Sequence, residues 1–215
     1  MTNQITPRNG YFAPEDCDLA AFRALVGQHT DRAAVPHAAD LQKNVPIYDI
    51  AKLHPALNDS MTRRDVMEEW ARVMLTGPGV LVLAGAYADT AVLDEATTVF
   101  NAIIADEKGR AGGGADHFAA GGANDRIWNS LQKLCEQAPG VFLRYFANTA
   151  IAAVCEAWLG PHYQMTAQVN LVHPGRAAQL AHRDYHLGFQ TAEISASYPA
   201  HVHDLSPVLT LQGAV

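Results

Sequence analysis

After Gly160-Pro161 the apolar period of the chain changes from 3.6 residues to 2, and this switch constrains the fold more than any other feature of the sequence. Before it, Ile151, Val154, Cys155, Trp158 and Leu159 recur at helical spacing behind Asn148. A helix over Thr149–Leu159, closed by Gly160-Pro161, is the expectation. After it, Met165, Ala167, Val169 and Leu171 alternate with Gln164, Thr166, Gln168 and Asn170, which is the pattern of a half-buried strand with one polar face. His173-Pro-Gly-Arg176 supplies a turn, and Gln179–Gln190 reads as the paired strand, carrying aromatic residues and a glycine. Val208–Gln212 begins a further strand.

The part before the switch is helical. In the first sixty residues the scattered prolines Pro7, Pro14, Pro36, Pro46 and Pro55 allow only short elements, such as a helix at Leu19–Val26 and an extended Val45–Ile50. This segment reads as a wrapping arm, 1–60. A mainly helical part, 61–160, follows. Thr62-Arg-Arg-Asp65 has the form of a capping box, with Val66, Trp70, Val73 and Met74 at helical spacing behind it and a stop at Gly77-Pro78-Gly79. Val80–Leu83 reads as a buried strand, and Asp89 as the N-cap of a helix whose face is Val92, Leu93, Ala96, Val99, Phe100, Ile103 and Ile104. Lys108-Gly109 looks like its C-cap. The Gly-rich stretch Gly109–Gly122 has no phosphate-loop context and reads as a lid.

Composition narrows the class. Of 215 residues 49% are hydrophobic and 17% charged, which is a globular balance. The net charge of −7, without any Lys/Arg block, argues against a nucleic-acid or anionic-membrane surface. No stretch approaches the ~18 continuous apolar residues of a membrane span, and cytoplasm is the default compartment. Cys17, Cys135 and Cys155 form no C-x-x-C pair and read as buried free thiols. Of the ten histidines, His173, His182, His186, His201 and His203 crowd into one stretch.

Within that stretch lies His182-Arg-Asp184. On a strand, residues i and i+2 project from one face, so an imidazole and a carboxylate can converge on one ion. These are two of the three donors of the 2-His-1-carboxylate triad that suits non-haem Fe(II). His186 shares their face on a regular strand, where a role in supporting the ligands or contacting substrate fits better than a fourth bond to the metal.

The run from Trp158-Leu-Gly160, through the alternating strand and Pro174-Gly175, to Gln179-Leu-Ala-His-Arg-Asp-Tyr-His-Leu-Gly-Phe189 resembles the phytanoyl-CoA dioxygenase family in order and spacing. A looser resemblance begins near Met67. It implies an α+β chain with a double-stranded β-helix (jelly-roll) core and N-terminal helices packed outside. It further implies Fe(II) with 2-oxoglutarate and O2 as co-substrates, decarboxylation to succinate and CO2, and hydroxylation of a small organic or acyl substrate. His182 and Asp184 match the family's first two iron ligands, and an Asp at 184 favours hydroxylation over halogenation. The resemblance also allows Gln168 and Asn170 to contact 2-oxoglutarate or substrate, solvent exposure being the alternative. His117 and Trp128 are candidate substrate contacts.

The family's second histidine ligand and its 2-oxoglutarate-binding arginine lie on later strands. From Asp184 to Val215 there is room for about three strands, against about eight in a jelly roll. The expectation is therefore that 161–215 supplies only the first strands, and that further residues or a second polypeptide complete the core. His201 and His203 could fill the ligand gap, but their Pro-bounded segment reads as a loop. Two rival functions stand beside this one: a zinc hydrolase built on His201-Val-His203-Asp204, and a non-catalytic jelly-roll binding module.

Overall fold

The computed structural model describes residues 10–111, 124–175 and 190–215. In chain order the described elements are α1 (Leu19–Val26), β1 (Asp40–Gln42), β2 (Val45–Asp49), α2 (Ile50–Asn58), α3 (Ser60–Leu75), β3 (Val82–Ala84), α4 (Ala91–Ala111), β4 (Asn124–Ile127), α5 (Ser130–Gln137), α6 (Pro139–Phe146), α7 (Thr149–Leu159), β5 (Val169–Val172), α8 (Ala192–Ala196) and α9 (Ala200–Leu205). This is a mixed α+β chain with two small sheets and, among the described residues, no closed barrel. No described helix is long and apolar enough to cross a membrane. Two compact units result, one of residues 10–86, 150–163 and 190–215, the other of residues 87–111, 124–149 and 164–175.

The first unit holds the sheet β1-β2-β3. Lys43 and Asn44 both take positive φ (49° and 71°), as a two-residue hairpin turn requires, and join β1 to β2 antiparallel. β3 then pairs parallel to β2 after the crossover through α2 and α3. Tyr48 of β2 and Trp70 of α3 are fully buried and meet edge to face, ring centroids 5.7 Å apart. Val35, Ala38, Ile50, Leu53, Leu57, Val66, Val73, Ala150 and Ala153 complete this core. At its centre sits a carboxylate. Glu69 has no exposed surface, and it accepts from the Tyr48 hydroxyl (2.8 Å), the His37 amide (3.2 Å) and His37 Nδ1 (2.6 Å).

Local rules explain most boundaries in this unit. α1 and the start of α7 lie where the sequence places them, and Asp18 caps α1 by accepting from the amides of Ala20 and Ala21. α3 starts earlier than the Thr62 box predicts, because Asp59 takes the capping role toward Met61 and Thr62. α3 ends at Leu75 with Thr76 as its C-cap, and only glycine fits at 77, since a Cβ there would stand 2.7 Å from the Val73 carbonyl oxygen. Two expectations at the C-terminal side are corrected. Val208–Gln212 is not a strand: Ser206–Leu209 is a 3-10 turn, and the Trp158 indole then donates to the Thr210 carbonyl at 2.8 Å. His201 and His203 lie on a helix, α9, rather than in a loop. A third correction concerns the thiols, for Cys17 is exposed.

The second unit packs α4, α5 and α6 against the antiparallel pair β4–β5. Its core is Ala96, Phe100, Ile103, Ile127 and Leu134, with Phe142, Tyr145 and Phe146 beside them. Asp89 accepts from the Ala91 amide at the head of α4, as its sequence position suggests. The helix runs on to Ala111, past the Lys108-Gly109 stop read from the sequence. Asn129, at φ 54°, makes the left-handed step between β4 and α5. The alternation foreseen from Gln164 is visible in burial: Met165, Ala167 and Val169 are half-buried, whereas Gln164, Thr166, Gln168 and Asn170 are exposed. Only Val169–Val172 pair as a strand, because β4 offers four partners before its chain turns into α5. Leu171 breaks the alternation and is 43% exposed.

Candidate functional site

The geometry of the candidate site comes from the β4–β5 pair. Its register sets Asn124 opposite Val172, Asp125 opposite Leu171, Arg126 opposite Asn170 and Ile127 opposite Val169. Directly opposed residues share a face, and faces alternate along a strand. One face therefore carries Ile127 and Val169 into the core, with Asp125 alongside them. The other carries Arg126 and Asn170, with Gln168 and Trp128 one step further along each strand.

On that second face the side chains converge. Arg126 donates to Gln168 Oε1 at 3.2 Å, and its guanidinium carbon lies 5.1 Å from the Trp128 ring centroid, a cation–π distance. Trp128 is 40% exposed. Three residues picked from sequence, Gln168, Asn170 and Trp128, thus stand on one face around a guanidinium that the sequence reading passed over. Arg126 could have been noticed, since it is the only Lys or Arg between the Gly-rich stretch and Lys133. A cation flanked by amides and an aromatic ring can receive a carboxylate and pack an apolar chain beside it.

The buried face has its own polar centre. Asp125 is 8% exposed, and both of its oxygens are engaged, Oδ1 with Lys108 Nζ at 2.6 Å and Oδ2 with His173 Nε2 at 3.0 Å. A carboxylate only accepts, so His173 carries its donated proton on Nε2. The Lys108 bond holds the Asp125 carboxyl below the usual range against the burial that pushes it up, and the His173 bond adds to it. Sequence reading missed this cluster, whose members come from α4, β4 and the end of β5.

The remaining candidates fall in two groups. His117, His182, Asp184 and His186 lie outside the described residues, as does most of the Gly109–Gly122 stretch read as a lid. His201 is exposed on α9, while His203 Nε2 meets the Ser195 carbonyl oxygen at 2.9 Å and its ring sits edge-on to Phe12. Residues i and i+2 of a helix point roughly 200° apart, so α9 does not bring these two imidazoles onto one ion. Among the described residues no group of three or more His, Cys, Asp or Glu could hold a metal.

Comparison with known proteins adds one finding. Residues 76–208, more than half of the chain, match the family model described as Phytanoyl-CoA dioxygenase (PhyH). No curated protein and no solved structure matched the chain in the corresponding searches.

Proposed function

The chain belongs to the phytanoyl-CoA dioxygenase family, a family of oxygenases, and from that premise we propose that it is an Fe(II)- and 2-oxoglutarate-dependent dioxygenase that hydroxylates a small organic or acyl substrate, with succinate and CO2 as co-products. The observation that carries this reading is that His182-Arg-Asp184 falls inside the matched stretch, at the spacing a strand needs to offer an imidazole and a carboxylate to one ion. His182 and Asp184 would hold the metal, which supplies O2 activation when bound. The described residues fit the co-substrate rather than the metal: Arg126, Gln168 and Asn170 offer a cation and amides suited to a keto-dicarboxylate, and no metal-donor set. Trp128 would wall the same face, keeping water from it, with His117 and His186 on the substrate side.

In this proposal the core is a jelly roll to which β4 and β5 belong, outside which the N-terminal helices pack. Its second histidine ligand and the arginine for the far carboxylate come from strands other than these two, in this polypeptide or a second one. The free thiols suit a reducing compartment such as the cytoplasm. Neither nucleic acid nor membrane figures among the partners proposed. Among the described residues nothing favours the zinc-hydrolase alternative, since α9 separates His201 from His203.

The test is anaerobic addition of Fe(II) and 2-oxoglutarate to the full natural polypeptide, followed by O2. A visible charge-transfer band and succinate formation are expected, both lost in His182→Ala and Asp184→Ala. Succinate formation that survives either substitution would overturn the ligand assignment, and no band or succinate in the unaltered protein would overturn the activity.

A further inference from the structure

We propose that α1 is a self-association surface, pairing antiparallel with α1 of a second copy of this chain about a two-fold axis. Leu19, Phe22 and Val26 recur at i, i+3 and i+7 with Leu25 beside them, so four large apolar side chains share one stripe of the helix. Each of the four is between 58% and 62% exposed, and no residue of α1 is buried. Such a stripe ordinarily faces a core, and where it faces outward it marks a surface for another molecule. α1 lies ahead of residues 76–208, the stretch that matches the family model, so association through it does not depend on the activity proposed above.

Contacts at its flanks hold the helix in place. On one side the Ala200 amide donates to the Gly10 carbonyl at 2.8 Å, Tyr11 bridges to Pro199, and the Phe12 ring meets His203 edge-on. On the other, the Thr30 hydroxyl donates to the Asn44 carbonyl at 2.7 Å. Asp18 caps the first turn. Tied at both ends, α1 is presented already folded, which lowers the ordering cost of binding a partner. An eight-residue helix is marginal in water without packing, so a cover over the stripe also stabilises the helix itself.

Charge decides what the stripe accepts. It borders a groove of about 570 Å³ lined in part by Phe12, Leu19, Phe22 and Leu25, and the charged residues among its described lining are Asp16 and Asp18. An apolar groove walled by carboxylates takes an apolar segment that carries a cation. α1 is itself such a segment, because Phe22 and Leu25 lie beside Arg23, the one Lys or Arg in residues 10–31. Antiparallel pairing brings Arg23 of each copy toward the Asp16–Asp18 turn of the other and sets the two helix dipoles head to tail. Parallel pairing would instead bring Glu15, Asp16 and Asp18 of both copies together. Each α1 is only about 12 Å long, so the interface is small and the dimer weak and reversible.

Sedimentation velocity of the full natural polypeptide, from about 10 μM to about 1 mM, reads the association, with thermal melting at the lowest concentration as the check on folding. The variants are Phe22→Asp, Arg23→Glu, and Arg23→Glu combined with Asp16→Lys. All three positions are exposed, so their replacement opens no cavity. Expected is a monomer–dimer equilibrium in the unaltered protein, weakened at least about tenfold in Phe22→Asp and in Arg23→Glu with the melting temperature unchanged. Adding Asp16→Lys to Arg23→Glu reverses both members of the charge pair and should tighten the dimer at least about threefold over Arg23→Glu alone. A monomer at every concentration overturns the proposal and leaves the stripe to a different protein or to residues of this chain outside those described. Unchanged dimerisation in Phe22→Asp or in Arg23→Glu overturns it too, by placing the contact elsewhere. So does a double variant no tighter than Arg23→Glu, which removes the antiparallel pairing.

Discussion

Replacing Glu69 by Ala should destabilise the first unit by about 3–5 kcal/mol, the scale for removing one partner of a buried charged cluster. The figure follows from what is left behind. Three donors converge on the carboxylate: the Tyr48 hydroxyl at 2.8 Å, the His37 amide at 3.2 Å and His37 Nδ1 at 2.6 Å. Hydrogen bonds to a charged group contribute about 1.5–3 kcal/mol each, and a buried donor stripped of its acceptor costs about 1–3 kcal/mol. Water can reach His37, whose side chain is 34% exposed, so its stranded donors regain a partner. Tyr48 has no exposed surface and does not. Tyr48→Phe removes one donor and leaves the carboxylate two, and should cost only about 1–2 kcal/mol. Urea unfolding followed by tryptophan fluorescence reads both, because Trp70 packs edge-on against Tyr48. With a slope of about 2 kcal/mol/M, Glu69→Ala should lower the midpoint by about 1.5–2.5 M. A shift below about 0.5 M, or a Tyr48→Phe variant as damaged as Glu69→Ala, would refute the reasoning.

Two further outcomes follow from the described geometry. The Asp125 carboxyl titrates below its unfolded value of about 3.9, so its stabilisation is fully present above that pH and is lost as pH falls through the folded value. The stability gap between the unaltered protein and Asp125→Asn should therefore be constant above about pH 5 and shrink toward pH 3; a gap independent of pH would count against the ionised cluster. A thiol reagent at neutral pH should modify Cys17 first, because it is exposed, whereas burial pushes the Cys155 thiol up and keeps it protonated. Mass spectrometry of partly labelled protein finding Cys155 modified ahead of Cys17 would contradict this.

Elements whose determinants lie within a few residues were readable from sequence. α7 begins and ends where the apolar spacing and Gly160-Pro161 put it, and α1 agrees at both ends. Where two local rules competed, the reading slipped. Asp59 and Thr62 both offer capping oxygens, and the one further upstream won because its carboxylate reaches two amides, those of Met61 and Thr62. Val208–Gln212 has strand-like side chains, yet Pro207 sets a 3-10 turn and Trp158 takes the Thr210 carbonyl. That indole is far away in sequence, and no window of a few residues contains it. The polar face of Gln168 and Asn170 was legible as a period of two, but that Arg126 joins it was not, since Arg126 comes from another strand.

The Glu69 cluster shows what such distant pairings contribute. A buried carboxylate is a costly way to fill a core, and an apolar side chain of like volume would often be as stable. Its geometry gives instead a condition on register. β2 presents Pro46 and Tyr48 to the interior and leaves Ile47 and Asp49 half-buried. A slip of one residue would turn Tyr48 outward and Asp49 inward, setting a second carboxylate near Glu69 and removing its phenol donor. Because Glu69 lies on α3 and His37 precedes β1, the three hydrogen bonds close together only when hairpin, crossover helix and the chain leading into them are all in their observed register. The cluster thus stabilises one arrangement of residues 10–75, ahead of the matched family stretch, rather than stabilising compact arrangements in general.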